Sequence, residues 1–140
     1  MALLVFAEGF LLQNGTAPGT CIRKHGRRRN NVTFGGTRII EDNDEDSFIQ
    51  SFLNVSKTFA NDWSSSYTWA GASDLAEEGN WLWVTGKPVG VFTNWRGPGP
   101  NNAHHGSHTE DCMDLSGGGW NDNDCASHFS FVCEIETNVD

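Results

Sequence analysis

Long apolar runs are missing from this 140-residue chain: no stretch approaches the roughly 18 consecutive apolar residues of a membrane span. No G-x-S-x-G, H-E-x-x-H or phosphate-binding glycine loop occurs, so the usual local signatures of hydrolysis and phosphoryl transfer are absent and no enzyme is expected. None of the four cysteines forms a C-x-x-C pair, which argues against a zinc knuckle or a thioredoxin-like redox site. There is no internal repeat and no heptad pattern. Positive charge is scarce and localised. Five of the nine basic residues crowd into Arg23, Lys24, Arg27, Arg28 and Arg29, and beyond Asn30 four basic residues face 17 acids. An acidic body with one basic loop is a poor partner for a phosphate backbone, so nucleic acid is not an expected ligand. The basic run reads most simply as a solvated loop, with anionic glycan contact as the sharper alternative.

What is present is a compact, loop-rich domain. Hydrophobic residues make up 37% and charged residues 19%, with 16 glycines, six tryptophans and a single tyrosine. A chain of this length buries roughly two-thirds of its unfolded surface on folding, enough for one core. An even number of cysteines together with three sequons, at Asn14, Asn31 and Asn54, points to an oxidising secretory route and a secreted glycoprotein. Residues 1–7 are apolar but lack a basic start and are interrupted by Glu8, so they do not read as a signal peptide.

Phe48, Ile49, Phe52 and Leu53 recur on one helical face, and Asp44, Glu45 and Asp46 sit in the first turn, where the helix dipole favours acids. The pattern predicts a helix to about Phe59. Downstream, 69–72, 81–84, 112–115, 119–120 and 129–135 read as short strands punctuated by Gly79 and Gly86. Residues 96–109 form a long polar loop, a length that is usually functional or disordered.

Chemistry concentrates in three clusters: Pro100-Asn-Asn102, Glu110-Asp111 and Trp120-Asn-Asp122. All supply amide or carboxylate oxygens and no soft donor, a set suited to calcium rather than zinc or copper. The bland alternative for Asn121-Asp122 is a turn. His104, His105 and His108 offer an H-H-x-x-H cluster, read as part of a polar loop in preference to a zinc site. Adjacent acids such as Glu110 and Asp111 do not straddle a glycosidic bond, which disfavours a glycosidase. Trp69, Trp81, Trp95 and Trp120 are expected in the core, with sugar stacking the minority reading.

Cys112…Trp120-Asn-Asp122…Cys125…Phe131-Val-Cys-Glu134 resembles the closing half of a C-type lectin-like domain, and Trp69-Ala-Gly-Ala72 resembles that fold's W-I-G-L core motif. The resemblance covers residues 21–136, leaving residues 1–20 as an unmatched segment. Within the family the 43–49 region and the 71–83 stretch are most similar to the perlucin-like secreted lectins of shell matrix. The resemblance implies an α+β fold, with helices packed on small antiparallel sheets, a long calcium- and sugar-binding loop, and two disulfides, Cys112–Cys125 and Cys21–Cys133. The first bond would close a loop of about 13 residues and hold Glu110-Asp111 near Asn121-Asp122.

Carried over position by position, a principal calcium and sugar site would use Asn101, Glu110, Asn121 and Asp122. An auxiliary calcium site would use Asp74, Glu78, Glu110 and Asp111, with Asn102 where the family often has Asp. The implied partners are glycans bound through calcium, or calcium carbonate mineral on the perlucin-like alternative; a third reading is a lectin-like fold that binds protein without calcium. The family's E-P-N (mannose-type) or Q-P-D (galactose-type) motif is Gly99-Pro100-Asn101 here. Asn101 leans toward the mannose type. Gly99 removes one oxygen ligand and is expected to leave an open position at the ion, which Gly99→Glu would fill.

Overall fold

The protein is described here by a computed structural model covering residues 2–7, 32–34, 39–57, 67–104 and 106–137. The first two strands are β1 (Ala2–Ala7) and β2 (Val32–Phe34), followed by the helix α1 (Asn43–Lys57). Five further strands complete the order: β3 (Thr68–Ser73), β4 (Leu82–Trp83), β5 (Cys112–Ser116), β6 (Gly119–Asn123) and β7 (Ser130–Thr137). One sheet runs β1-β7-β3-β5-β6, with β2 also on β7 and β4 on β3. All pairings are antiparallel except β3 with β7, which is parallel at Thr68–Ser130 and Trp69–Phe131. The opening residues, which carry no legible family landmark, thus supply β1, an outer strand in register with β7 from Ala2–Glu136 to Ala7–Phe131.

Helix α1 starts where its chemistry says it should. The Asp42 carboxylate accepts the Glu45 amide N–H at 2.8 Å, and Glu45 reaches back to accept the Glu41 N–H at 3.0 Å, a capping arrangement that satisfies donors the helix cannot. Ile49 and Leu53 are buried and Phe52 packs partly against the core, but Phe48 is 59% exposed. The apolar stripe is therefore narrower than the four expected positions. A buried Asp46, three residues before Ile49, occupies the remaining place on the inward face.

Tryptophan dominates the core. Trp120 is fully buried, and Trp83, Phe92 and Trp95 meet it edge-on at centroid distances of 6.2, 5.6 and 5.8 Å, the geometry that ring quadrupoles favour. Trp69, Trp81 and Trp83 are buried as well, while Trp95 is half-buried. Gly117 and Gly118, at φ 60° and 81°, make the two-residue turn between β5 and β6, where two positive φ values fit the twist of the strands. The Cys112–Cys125 disulfide forms, closing that hairpin at a separation of 13 residues. Cys21, the basic run, the sequons at Asn14 and Asn31, Phe59 and His105 lie outside the described residues, and with Cys21 its pairing to Cys133.

Two substitutions on α1 separate its faces. Leu53→Ala should cost about 3 kcal/mol, since it removes buried methyl groups from a packed site. Phe48→Ser should change stability by less than about 0.5 kcal/mol. Urea unfolding of both variants checks this, and equal losses would contradict the packing described.

Candidate functional site

The long loop is anchored at its base before it carries any ligand. Trp120 N–H donates to the Asn94 carbonyl and Arg96 N–H to the Trp120 carbonyl, both at 2.8 Å, so residues 94–96 are stitched alongside β6. A tight turn follows, with Gly99 N–H donating to the Arg96 carbonyl at 3.0 Å and a cis Gly99–Pro100 peptide. This turn adds a steric constraint at Gly99. A Cβ there would sit 2.9 Å from the Arg96 carbonyl oxygen, so the glycine is required by the turn and any side chain must displace backbone.

Beyond the turn the loop folds onto the oxygen clusters. Asn102, at φ 44°, donates its backbone N–H to Asp122 Oδ2. Its side-chain Oδ1 accepts the Glu110 N–H at 3.2 Å, and Glu110 Oε2 accepts the Ala103 N–H at 3.1 Å. Glu110 and Asp122 are both buried, and Asp122 Oδ1 has no hydrogen-bond partner. Asn121 points its NH2 group at the Asp122 carbonyl (2.6 Å) and at Asp114 Oδ2 (3.4 Å), which leaves its Oδ1 as the oxygen available to a ligand. Asn101 is exposed on the same loop. Glu110, Asp122 and Asn102 are thus drawn into one hydrogen-bonded group, with Asn121 and Asn101 beside them in sequence.

A second cluster forms where the turn after β3 meets the start of β5. Carboxylate oxygens of Asp74, Glu78 and Asp111 all lie within 4.8 Å of one another. Asp74 N–H donates to the Asp111 carbonyl at 3.1 Å, Gly79 N–H donates to Asp74 Oδ2 at 2.9 Å, and the Thr109 hydroxyl donates to Asp111 Oδ2 at 2.8 Å. Asp74 Oδ1 is buried without a partner. Burial pushes the Asp74 carboxyl up to about 6, the Gly79 N–H opposes this, and the neighbouring Glu78 and Asp111 charges add to it. Glu110, assigned to both sites on resemblance, is not among these three gathered acids; its carboxylate is held by Ala103, and Asn102 likewise bonds to Glu110.

Among the described residues, His104 and His108 join no group that could hold a metal ion. His104 is exposed, and His108 Nδ1 lies 3.3 Å from Asp124 Oδ2, beside an open cleft of about 400 Å³ lined by Leu75, Thr109 and Cys125. Two acids escaped the sequence reading. Asp114, fully buried, has its pKa raised by burial against the hydrogen bonds of Ser116, Asn123 and Asn121. Nothing in an alternating strand pattern distinguishes it. Asp46 was legible as a helix-dipole acid only, although its spacing from Ile49 and Leu53 puts it on the core face.

A profile described as "Lectin C-type domain" matches residues 35–135. The chain belongs to the C-type lectin domain family. A C-type lectin domain family 4 member M protein of Nomascus concolor is 38% identical over 101 residues, spanning 71% of this chain and 22% of that relative. The matching segment therefore spans only about a fifth of the length of such relatives. The mouse scavenger receptor C-type lectin carbohydrate-recognition domain superposes with a TM-score of 0.59 at 30% identity, covering 74% of this chain and 73% of that one. The C-type carbohydrate-recognition domain of cow CD23, solved in the presence of GlcNAc2Man3 oligosaccharide, gives 0.57 at 28% identity, covering 76% and 72%. The C-type lectin fold and its Cys112–Cys125 bond are as the family resemblance implied.

Asp74 makes the ion-free domain sensitive to pH. Its folded pKa of about 6 lies above the ordinary 3.8, so the folded state holds the proton more tightly than the unfolded chain. Stability contributed by this group is present below pH 3.8 and falls as pH rises toward about 6. In calcium-chelated buffer, Asp74→Asn should remove that decline. Melting temperatures of both proteins between pH 4 and 7 check it, and parallel curves would refute it.

Proposed function

We propose that this domain is a secreted, calcium-dependent carbohydrate-binding lectin without enzymatic activity, its lectin unit running over residues 21–136 with β1 as an added strand. The observation that carries the reading is that two of the three orphaned carboxylate oxygens among the described residues lie at the two oxygen clusters, the third being Asp114 Oδ1 in β5. Asp74 Oδ1 and Asp122 Oδ1 are buried without hydrogen-bond partners, one at each oxygen cluster. A buried, unpaired carboxylate oxygen is costly, and a hard cation with 6–8 oxygen ligands removes that cost. Asn101, Glu110, Asn121 and Asp122 would hold the principal ion, and Asp74, Glu78 and Asp111 the auxiliary one. Calcium, when bound, supplies the positive centre to which vicinal sugar hydroxyls coordinate. The chain's own part is to present that ion and to offer amide and carboxylate groups to the same hydroxyls.

Mannose-type recognition is favoured by Asn101 after Pro100 and by likeness to a domain solved in the presence of a mannose-containing oligosaccharide. Glycosylation is supported at Asn54, exposed on α1 within its sequon. Among the described residues no helix is long and apolar enough to cross a membrane. A perlucin-like role on calcium carbonate finds less support, since the chain's relatives include C-type lectin domain family 4 member M proteins and scavenger receptor C-type lectin domains.

Calcium should stabilise the fold, by about 2.7 kcal/mol at a hundredfold excess over Kd. The domain should be retained on mannose resin and released by EGTA, and Asp122→Asn should lose both responses. Because residue 99 sits in a turn that needs glycine, Gly99→Glu is compared with Gly99→Ala. Both lose the turn geometry, and only Glu adds a charged oxygen, so Glu should bind calcium more tightly than Ala. An unchanged melting temperature in millimolar calcium would sink the calcium reading, and equal calcium affinity of the two variants would show that residue 99 does not face the ion.

A further inference from the structure

We infer that Asp46, on helix α1 and far from either oxygen cluster in sequence, is a positioning residue for the sugar-binding loop. Asp46 is 2% exposed, and its carboxylate receives two donors on two separate oxygens. Trp120 Nε1–H donates to Oδ1 and Asn94 Nδ2–H to Oδ2, each at 2.7 Å. These partners lie on the two sides of the loop's base. Asn94 opens the segment that leads to Gly99, Pro100, Asn101 and Asn102; Trp120 is followed directly by Asn121 and Asp122. The backbone bonds between Asn94, Trp120 and Arg96 fix their relative height, and Asp46 fixes both against the helix. The far end of the same loop closes on Asp122 through the Asn102 N–H. One carboxylate therefore sets the spacing of both halves of the principal site. The inference rests on the calcium-lectin reading for its consequence, but not for its geometry.

Only a carboxylate accepts two N–H groups on opposite oxygens. In Asp46→Asn the amide can accept from Trp120 while its NH2 faces the Asn94 NH2, donor against donor. Adding Asn94→Asp reverses that second bond. The amide introduced at position 46 would donate to the carboxylate introduced at position 94 while still accepting from Trp120, and the charge of the pair is unchanged. The double variant loses the longer Asn94 contact to the Gly118 carbonyl at 3.3 Å and sets a carboxylate oxygen against that carbonyl, so its recovery is expected to be incomplete. Loss in the single variant with recovery in the double is the signature of a specific clamp.

The experiment uses the full chain, with calcium titrated calorimetrically well below every variant's melting temperature and amide exchange followed at Arg96 and Trp120. Asp46→Asn should weaken calcium about tenfold, as loss of an outer support to a metal site does, and speed exchange at both amides. Asp46→Asn with Asn94→Asp should recover most of the affinity and the protection. Leu53→Ala, on the same helix face but without a bond to the loop, should lose stability and keep its calcium affinity. The inference is overturned if Asp46→Asn binds calcium as the parent does, if the double variant recovers nothing, or if Leu53→Ala loses affinity equally. Should the parent itself bind no calcium, the lectin reading fails, and unchanged amide exchange in Asp46→Asn would overturn the clamp separately. If Asp46→Asn does not fold, folding of the double variant supports the clamp and its failure to fold overturns it.

Discussion

The burial of Trp120 is the constraint on which the site depends. An indole is large and carries one donor that cannot be left unpaired in a dry core. Three aromatic side chains enclose its ring and Asp46 accepts its N–H, so the side chain has one position open to it. In a strand, the residues that follow inherit that position. Asn121 and Asp122 follow it directly in β6, and the 94–96 segment is held to the same backbone. A core residue thereby sets the geometry of a polar site at the surface.

The polar site itself is built against the grain of folding. Acids are ordinarily left in water, yet Asp74, Glu110 and Asp122 are buried, and two of them keep an oxygen without a partner. Backbone donors recover part of the cost: Gly79 for Asp74, Ala103 for Glu110 and Asn102 for Asp122. The Cys112–Cys125 bond holds the hairpin closed while these charges repel. Loop, disulfide and core together maintain an arrangement that the acids alone would relax.

Much of this was readable from residue order. The helix followed from apolar spacing, the strands from short β-prone runs between glycines, and the hairpin disulfide and lectin fold from a family-like spacing of Cys and Trp-Asn-Asp. What stayed hidden depends on contacts between segments distant in the chain. Asp46 looks like its neighbours Asp44 and Glu45 until the helix is docked. The crowding of Gly99 against the Arg96 carbonyl shows only once the turn is folded. The split of Glu110 away from Asp74, Glu78 and Asp111 is a matter of loop path, which no local pattern encodes. β1 illustrates the same limit: a short apolar run becomes a strand only because β7 offers it a register.

The bond between Trp120 and Asp46 spans 74 residues of chain. The β5–β6 hairpin, by contrast, closes over a two-residue glycine turn and needs nothing distant. Contacts that close long loops carry a larger entropic cost and tend to form after local ones. The hairpin bearing Asn121 and Asp122 is therefore expected to form before the docking that sets their spacing. A chain caught part-way through folding holds the ligand residues without the site, and competence to bind arrives together with the native state.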